Sequence, residues 1–490
     1  MSTSLTQAAR RLLGMALQSH GGHPQTAALL HRHLDRLDEP LRVAIAGRVK
    51  AGKSTLLNAL VGDLLAPTDA GECTKVVTWF RDGRTPRVVM HPQRGPAVPL
   101  TVAREDGALV IDLGSTPAED LDRVVVDWPS SGLRTLTLID TPGIASLTAE
   151  NSRRTLTFLD PDDEAPTEAD AVVYLMRHLH TADAQFLESF RDQGVAKAAS
   201  VNAVAVISRA DEIGAGRVDA MFSARAIAQR YRGEPAVRAL CQDVVAVAGL
   251  LAQTGRTLRQ AEYQALAALA AVPREELDRS LLSVDRFLGG EPLPAGPSRE
   301  QLLRRFGMYG TRLAVSLVRQ GTRTADALAT ELVDRSGLPE LQRVLRVQFA
   351  ERRDVLKARS ALLAVESVVR AGGGRTGPLA AELERVLAGA HEFTELRTLG
   401  ALKAGAVRLP KELVAEAERL LGDAGRSAAA RLGLPGDADA GSVRAAAGAA
   451  VTRWQHHAAN PMLRRGAADA CRVVVRTCEG MLVTSGGGSR

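Results

Sequence analysis

The sequence predicts an α/β domain with a mixed, mostly parallel sheet, followed by an elongated all-α region that forms a helical-bundle neck and stalk. Three observations support this division. An apolar run at 41–46 leads directly into a glycine-rich loop and then a helix. Strand-like apolar runs alternate with helical segments up to about residue 250, which is typical of an α/β fold. Beyond that point the sequence contains no convincing strand and follows helical periodicity.

The glycine-rich loop has the pattern of a phosphate-binding loop. Residues 47–55 match G-x-x-x-x-G-K-[ST] between a strand and a helix. Gly47 and Gly52 let backbone N–H groups surround a β-phosphate, and the helix N-terminus adds its dipole. Lys53 is expected to bridge the β- and γ-phosphates, and the Ser54 hydroxyl to bind Mg²⁺. The other predicted phosphate-binding residues are Val49, Lys50, Ala51 and Thr55.

A second apolar run, at 136–139, ends in Asp140-Thr141-Pro142-Gly143. In a Ras-like P-loop GTPase head, a carboxylate at the Asp140 position holds Mg²⁺ through water, and the Gly143 N–H contacts the γ-phosphate. Ras-like enzymes place a glutamine after this glycine to orient the attacking water, but Ile144 occupies that position. We therefore expect slow hydrolysis by a single molecule and faster hydrolysis when two heads associate.

The segment Ser208-Arg209-Ala210-Asp211 follows a third buried-type strand at 201–207 and predicts the base that is bound. A carboxylate at Asp211 can accept hydrogen bonds from both N1–H and the exocyclic amine of guanine, a donor pair that adenine lacks. GTP and GDP are therefore the predicted nucleotides. The usual pattern has Asn or Thr, then Lys, where this chain has Ser208 and Arg209. The Arg209 stem can still lie along the base; alternatively, Asp211 only caps a helix.

Two further segments complete the predicted site. The run 243–250 reads as the last strand of the sheet and places the backbone of Ala248 and Gly249 against the base. The polar loop 67–74 precedes a strand at 75–80 and is the place for a threonine that completes the Mg²⁺ shell in the GTP state. Thr68 and Thr74 are both candidates from their position alone.

Composition limits the class of protein. No apolar run approaches the length of a membrane-spanning helix, and the N-terminus lacks the features of a secretion signal. Four scattered cysteines predict neither a disulfide framework nor a zinc site, so we expect a cytoplasmic protein.

The net charge is +6, and 299–359 holds thirteen basic against seven acidic residues. A basic face suits anionic lipid or nucleic acid, although the 3% aromatic content disfavours nucleic acid; a merely solvated helix face is the alternative.

The chain divides into five predicted parts. Residues 338–370 are predicted to form one helix on the order of 45–50 Å long, suited to a stalk. The parts are N-terminal helices that pack on the neck and stalk (1–39), the GTPase head (40–288), a glycine- and proline-rich linker (289–297), the helical stalk (298–484) and a disordered tail (485–490).

The chain resembles the bacterial dynamin-like GTPases, and within them most closely the isoniazid-inducible proteins of actinobacteria. The likeness is carried by 46–63 around the phosphate loop, S-R-A-D-E-I-G-A-G-R at 208–217, L-L-S-V-D-R-F at 281–287 and R-F-G-M-Y-G at 305–310. This resemblance implies GTP hydrolysis with Mg²⁺, self-association through the heads, a possible second dynamin-like partner, and peripheral binding to anionic lipids at the inner face of the cell membrane. It also implies that Thr74 is the switch threonine that acts in catalysis with Lys53 and Gly143.

The sequence departs from that family in ways that keep other functions open. Dynamins have Gln and Ser where this chain has Val49 and Lys50, and no apolar membrane paddle is evident. The candidate membrane tip, near 371–410, is equally well explained as a connection between helices. The alternatives are a soluble regulatory GTPase acting on ribosomes or the division machinery, and a weakly hydrolysing GTP-dependent scaffold that partners another dynamin-like protein.

Overall fold

The computed structural model describes most of the chain. The described residues are 4–67, 76–142, 168–177, 183–184, 187, 202–214, 216–291, 293, 296–372 and 377–486.

One mixed sheet dominates the N-terminal half, accompanied by a separate two-stranded ribbon of β5 and β6. The strands of the described chain are β1 (Leu41–Gly47), β2 (Thr78–Asp82), β3 (Arg87–Pro92), β4 (Val98–Leu100), β5 (Ala103–Glu105), β6 (Ala108–Val110), β7 (Leu121–Trp128), β8 (Leu136–Asp140), β9 (Ala171–Met176), β10 (Ala203–Ile207) and β11 (Val244–Ala246).

The order of the main sheet is β11-β10-β9-β1-β8-β2-β7-β3-β4. The first five strands of that order are mutually parallel. β2 joins β8 in an antiparallel pair, and β3 and β4 extend the sheet antiparallel beyond β7. The predicted mixed, mostly parallel sheet is confirmed.

Helices cover both faces of the sheet and make up the C-terminal half, which confirms the all-α prediction for that part. The helices of the described chain are α1 (Leu5–His20), α2 (Pro24–Asp38), α3 (Lys53–Val61), α4 (Ala220–Gly233), α5 (Pro235–Arg238), α6 (Gly249–Arg256), α7 (Gln260–Ala271), α8 (Arg274–Ser280), α9 (Val284–Leu288), α10 (Arg299–Arg319), α11 (Ala325–Arg335), α12 (Leu338–Gln348), α13 (Arg353–Ala371), α14 (Pro378–Gly389), α15 (His391–Lys403), α16 (Lys411–Leu420), α17 (Ala428–Leu432), α18 (Ala440–Ala458) and α19 (Arg465–Gly486).

The alternation of side chains along β1 separates two hydrophobic cores. Val43 and Ile45 face one core, which also contains α1 and α12 to α15. Ala44 and Ala46 face the other, which also contains α4, α7, α10 and α11. Helices on both sides of the 289–297 linker therefore share cores with the sheet. A third core lies within the C-terminal bundle from α15 to α19.

The predicted single helix over 338–370 is wrong, because the helix breaks between α12 and α13. Phe349 has φ −114° and ψ −59°, and a 3₁₀ turn at Ala350–Arg352 follows. The Phe349 ring is fully buried in the core, and the buried Arg352 guanidinium donates to the carbonyl of Gly422 at 2.8 Å. No proline or glycine marks this point in the sequence, so the break follows from tertiary contacts.

The last helix also runs to Gly486, two residues beyond the predicted end of the stalk.

The basic residues of 299–359 do not form a continuous solvated face. Arg305 pairs with the buried Glu262 at 2.7 Å, and Arg312 donates to the carbonyls of Gly216 and Leu281. Such guanidinium-to-carbonyl bonds join neighbouring helices and loops inside the protein. The regional surplus of positive charge is therefore partly used for internal packing.

A buried carboxylate, Asp170, joins the N-terminal helices, the sheet and the stalk. It lies just before β9 and accepts hydrogen bonds from the Arg36 guanidinium at 2.7 Å, the Ser360 hydroxyl at 3.0 Å and the backbone N–H of Arg42 at 2.9 Å. Lys357 of α13 donates to the carbonyl of Arg36. Burial alone would raise the pKa of Asp170, but Arg36 and Lys357 hold that pKa below its usual value.

We predict that Asp170→Asn lowers the free energy of unfolding by about 3–5 kcal/mol, because it leaves a buried guanidinium without its counter-charge. The pKa of Asp170 is lowered in the folded state, so its contribution is present above the ordinary carboxyl pKa and is lost as pH falls through the folded pKa. Denaturant titrations at several pH values measure both effects. As a control, Asp219→Asn removes an exposed ion pair with Arg217 and should change stability by under about 1 kcal/mol.

Candidate functional site

The phosphate loop is positioned by the end of β1 and the start of α3. Gly47 has φ +149°, and a Cβ at that position would lie 2.6 Å from the Leu175 carbonyl of neighbouring β9. Gly52 has φ +92° and forms the N-cap of α3 in the left-handed conformation. Both positions therefore favour glycine. The loop leads backbone N–H groups to the start of a nine-residue helix, the arrangement that binds phosphates.

Lys53, Ser54 and Asp140 lie together beside this loop. The Ser54 hydroxyl donates to Asp140 Oδ2 at 3.1 Å. Burial raises the pKa of Asp140, and Lys53 and the Ser54 hydrogen bond oppose that rise. Burial also lowers the pKa of Lys53, while Asp140 opposes the fall. The two charged side chains are thus close enough at the end of the sheet for each to oppose the effect of burial on the other's pKa.

The pairing of β1 with β8 brings Asp140 to the phosphate loop. Ile45 is the register partner of Asp140, and the Thr141 hydroxyl donates to the Ile45 carbonyl at 3.0 Å. Asp140 Oδ1 is buried and has no hydrogen-bond partner. An unpaired carboxylate oxygen next to a serine hydroxyl is the kind of oxygen donor set that Mg²⁺ uses. The residues therefore fit a magnesium ion, with Ser54 and Asp140 as the described donors.

A cavity of about 180 Å³ opens beside the loop at the carboxyl ends of the parallel strands. The phosphate loop contributes Ala51, Gly52 and Thr55 to its wall. The predicted base-recognition segment contributes Ser208, Arg209 and Asp211, although these residues lie more than 150 positions away in the sequence. Ligands of α/β sheets bind in such a crevice. The two sequence motifs thus share one pocket.

Asp211 is 9% exposed and sits in a 3₁₀ turn, Ala210–Glu212. Burial raises the pKa of its carboxyl group, Glu212 raises it further, and Arg209 lowers it. The predicted alternative, Asp211 as the cap of a following helix, is not what the structure shows, because the carboxylate lies inside the turn and lines the pocket. The Ser208 hydroxyl donates to the Met176 carbonyl at 3.3 Å and ties β10 to β9.

The structure treats the two predicted base-contacting residues after β11 differently. Gly249 lines the pocket, and a Cβ there would lie 3.7 Å from Thr55. Ala248 is not among the lining residues, and its backbone N–H donates to the Ser336 carbonyl at 2.9 Å. Gly249 is therefore the residue of this pair that can touch a base.

Some of the remaining predicted site residues are exposed to solvent, and the others lie outside the residues that the structure describes. Val49 and Lys50 are exposed on the loop, and Lys50 has φ +61°. Thr68, Thr74 and Gly143 lie outside the described residues. Thr74 and Gly143 remain predictions.

The sequence did not identify one charged residue that lines the pocket, or the arginine paired with it. Glu212 lines it beside Asp211, and Arg177, the residue after β9, pairs with Glu212 at 3.1 Å. The positions of both residues in the sequence were a usable signal. Arg177 directly follows a buried parallel strand, and Glu212 directly follows the predicted base-reading residue. Leu250 was also missed and lines the pocket next to Gly249.

This fold and pocket are those of an α/β domain with a phosphate-binding loop, and comparison with known proteins gives its family. The model of the dynamin family matches residues 43–203. The isoniazid-induced protein IniC of Mycobacterium tuberculosis is 44% identical over 492 residues, which covers 98% of this chain and 99% of that protein. The chain therefore belongs to the dynamin family, in the group that contains this isoniazid-induced relative, and carries a dynamin GTPase domain. The predicted family and enzyme class are confirmed.

More distant relatives share parts of the chain. A bacterial dynamin-like protein of Nostoc punctiforme is 30% identical over 121 residues, which covers 22% of this chain and 18% of that protein. A solved structure described as an oligomerised bacterial dynamin pair for long-range sensing and tethering of membranes covers 100% of this chain and 77% of its own. That superposition has 11% sequence identity and a TM-score of 0.37. Among the described residues, no helix is both long and apolar enough to cross a membrane.

We predict that Asp211→Asn weakens GTP binding by about a hundredfold, because it removes charge-assisted hydrogen bonds to guanine. An asparagine amide can donate to the C2 carbonyl of xanthine, so the variant should gain affinity for XTP. Titrations with GTP, XTP and ATP measure the change. An unaltered preference for GTP would show that Asp211 does not read the base. Asp219→Asn, which changes an exposed aspartate eight residues further along the chain, is the matched control.

Proposed function

We propose that this protein binds GTP and hydrolyses it to GDP and phosphate with Mg²⁺, and that hydrolysis is coupled to head association and to peripheral membrane binding. The observation that carries the nucleotide assignment is the shared pocket, in which Gly52 and Thr55 of a phosphate loop meet Asp211. A loop for phosphate and a buried carboxylate for guanine in the wall of one cavity fit a guanine nucleotide.

Each residue has a distinct role in this proposal. The loop from Gly47 to Thr55 holds the phosphates through backbone N–H groups, and the half-buried Lys53 supplies positive charge to the transferred phosphoryl group. Ser54 and Asp140 orient the magnesium ion, which neutralises charge on the phosphates when bound. Thr74 and the Gly143 N–H complete the set by resemblance to the family.

Self-association of the heads is the second part of the proposal. Bulky apolar side chains are exposed next to the guanine-reading segment: Val218 is 67% exposed, Phe222 78% and Leu282 62%. Arg312 joins the two segments that carry them, because it donates to the carbonyls of Gly216 and Leu281. An exposed apolar area of this kind favours association. A second copy of the chain, or another dynamin-like protein, is the proposed partner.

Because Ile144 cannot orient the attacking water, we expect a second head to supply a group that does so. The turnover number per molecule should therefore rise severalfold as protein concentration increases. Phosphate release measured over a hundredfold range of concentration tests this, with Lys53→Ala as the inactive control. A constant rate per molecule would contradict the expectation, and release equal to that of the control with GTP still bound would indicate a non-hydrolysing scaffold.

The membrane-binding part of the proposal concerns the C-terminal bundle. In the described part of the predicted tip, 371–372 and 377–410, the side chains of Leu383, Phe393 and Leu399 are buried inside the protein. Its exposed residues include Gly405, Ala406 and Arg408 of the turn after α15. This turn lies against the start of α19, because a Cβ added at Gly466 would lie 4.0 Å from the Val407 side chain.

The α18–α19 hairpin supplies the chemistry that an anionic lipid surface attracts. Met462, in the turn between the two helices, is 87% exposed, and the adjacent Arg465 side chain is 97% exposed. Residues 440–486 contain six arginines and two acidic residues. Within the described chain, Arg464 forms no ion pair. An apolar side chain flanked by cations fits the interface of an anionic bilayer, here the inner face of the cell membrane.

We predict that Arg464→Glu with Arg465→Glu abolishes pelleting with phosphatidylglycerol vesicles, because about 1 kcal/mol is lost per cation near the surface and the new charges repel the lipid. Met462→Ser should weaken pelleting to a smaller extent. Val483→Ser, which changes a 77% exposed residue late in α19, is the matched control. Undiminished pelleting of the charge-reversed protein would exclude this surface, and pelleting with ribosomes alone would favour the regulatory alternative.

A further inference from the structure

Three charged side chains form a linked set, and two of them, Arg209 and Glu212, line the candidate nucleotide pocket. The Arg209 Nη1 donates to Glu212 Oε1 at 2.7 Å, and Arg177 Nη2 lies 3.1 Å from Glu212 Oε2. Each carboxylate oxygen of Glu212 therefore has its own guanidinium. Arg177 follows β9 and the other two follow β10, so the set joins the ends of two adjacent strands.

The backbone around Arg209 is as constrained as its side chain. Arg209 has φ +50° and ψ +42°, the left-handed region that residues other than glycine seldom adopt. The Glu212 N–H donates to the Arg209 carbonyl at 2.9 Å and closes the turn. The ion pair between the side chains of the same two residues is a second interaction across this turn. Arg209 is thus held in one orientation on the pocket wall that Asp211 also lines.

Stability alone gives little reason for this set. The side chains are 36% exposed for Arg209, 49% for Glu212 and 52% for Arg177. Ion pairs with this exposure contribute only about 0–1 kcal/mol to folding. The position of Arg209 and Glu212 on the wall of the pocket points instead to the orientation of Arg209 against a bound base.

We propose that Glu212 is a positioning residue for guanine nucleotide binding, which holds the Arg209 guanidinium alongside the base, with Arg177 as its second anchor. This inference rests on the proposed function of the pocket. A guanidinium fixed before binding loses less conformational freedom when it stacks on a base. Lys53 and Asp140 lie at the phosphate end, so Glu212 should affect affinity and KM but leave kcat unchanged.

The test compares Glu212→Gln with Arg177→Gln and with Glu234→Gln, a control that removes an exposed ion pair to Arg230 in the same domain. We expect Glu212→Gln to raise the Kd for GDP and the KM for GTP about fivefold, the most that a pair with this exposure allows. The kcat and the melting temperature should stay unchanged. Arg177→Gln should act in the same direction with a smaller effect, and the control should have none.

A double-variant comparison separates positioning from a general change of charge. In an Arg209→Ala background, Glu212→Gln should have no further effect on Kd, because the group that it holds is gone. An effect of the same size in both backgrounds, or an unchanged Kd in Glu212→Gln, would overturn the inference. Wild-type protein that binds no guanine nucleotide, or an Asp211→Asn variant that binds GTP normally, would instead refute the proposed function itself.

Discussion

The structure depends on burying β1 on both faces while ending it in a loop that faces solvent. Small and branched apolar residues alternate along the strand, so Val43 and Ile45 enter one core and Ala44 and Ala46 the other. Because both cores contain helices from the C-terminal half, this central strand also holds the stalk helices against the head. The Gly47 turn then brings the phosphate loop against β9, where a Cβ at Gly47 would lie 2.6 Å from the Leu175 carbonyl.

The pocket and the stalk are joined by direct contacts. The Ala248 N–H donates to the Ser336 carbonyl between α11 and α12, and Arg312 of α10 donates to the carbonyl of Gly216, close to the guanine-reading segment. Segments next to the candidate base pocket therefore contact helices of the C-terminal half directly. At the opposite end of the sheet, the buried Asp170 bonds to α2 and α13. Both ends of the sheet are thus fixed to helices.

The distribution of charge shows why a count along the sequence misplaces a surface. The segment 299–359 has the larger basic surplus, but several of its guanidinium groups cap carbonyls or pair with buried carboxylates. The arginines of the α18–α19 hairpin are fewer, and those in its turn point into solvent. Whether a cation is available to a partner depends on which carbonyl and carboxylate groups the fold brings to it.

The sequence by itself predicted most strands of the main sheet, the phosphate loop and a candidate base-reading segment, because these rest on local patterns: an apolar run, two glycines at a fixed spacing before Lys53 and Ser54, and one acidic residue after a buried strand. Only the tertiary structure decided that Asp140 Oδ1 is buried without a partner, that Glu212 joins two arginines at the pocket, and that the helix breaks at Phe349. Those features arise from contacts between residues far apart in the chain, which local propensity does not encode.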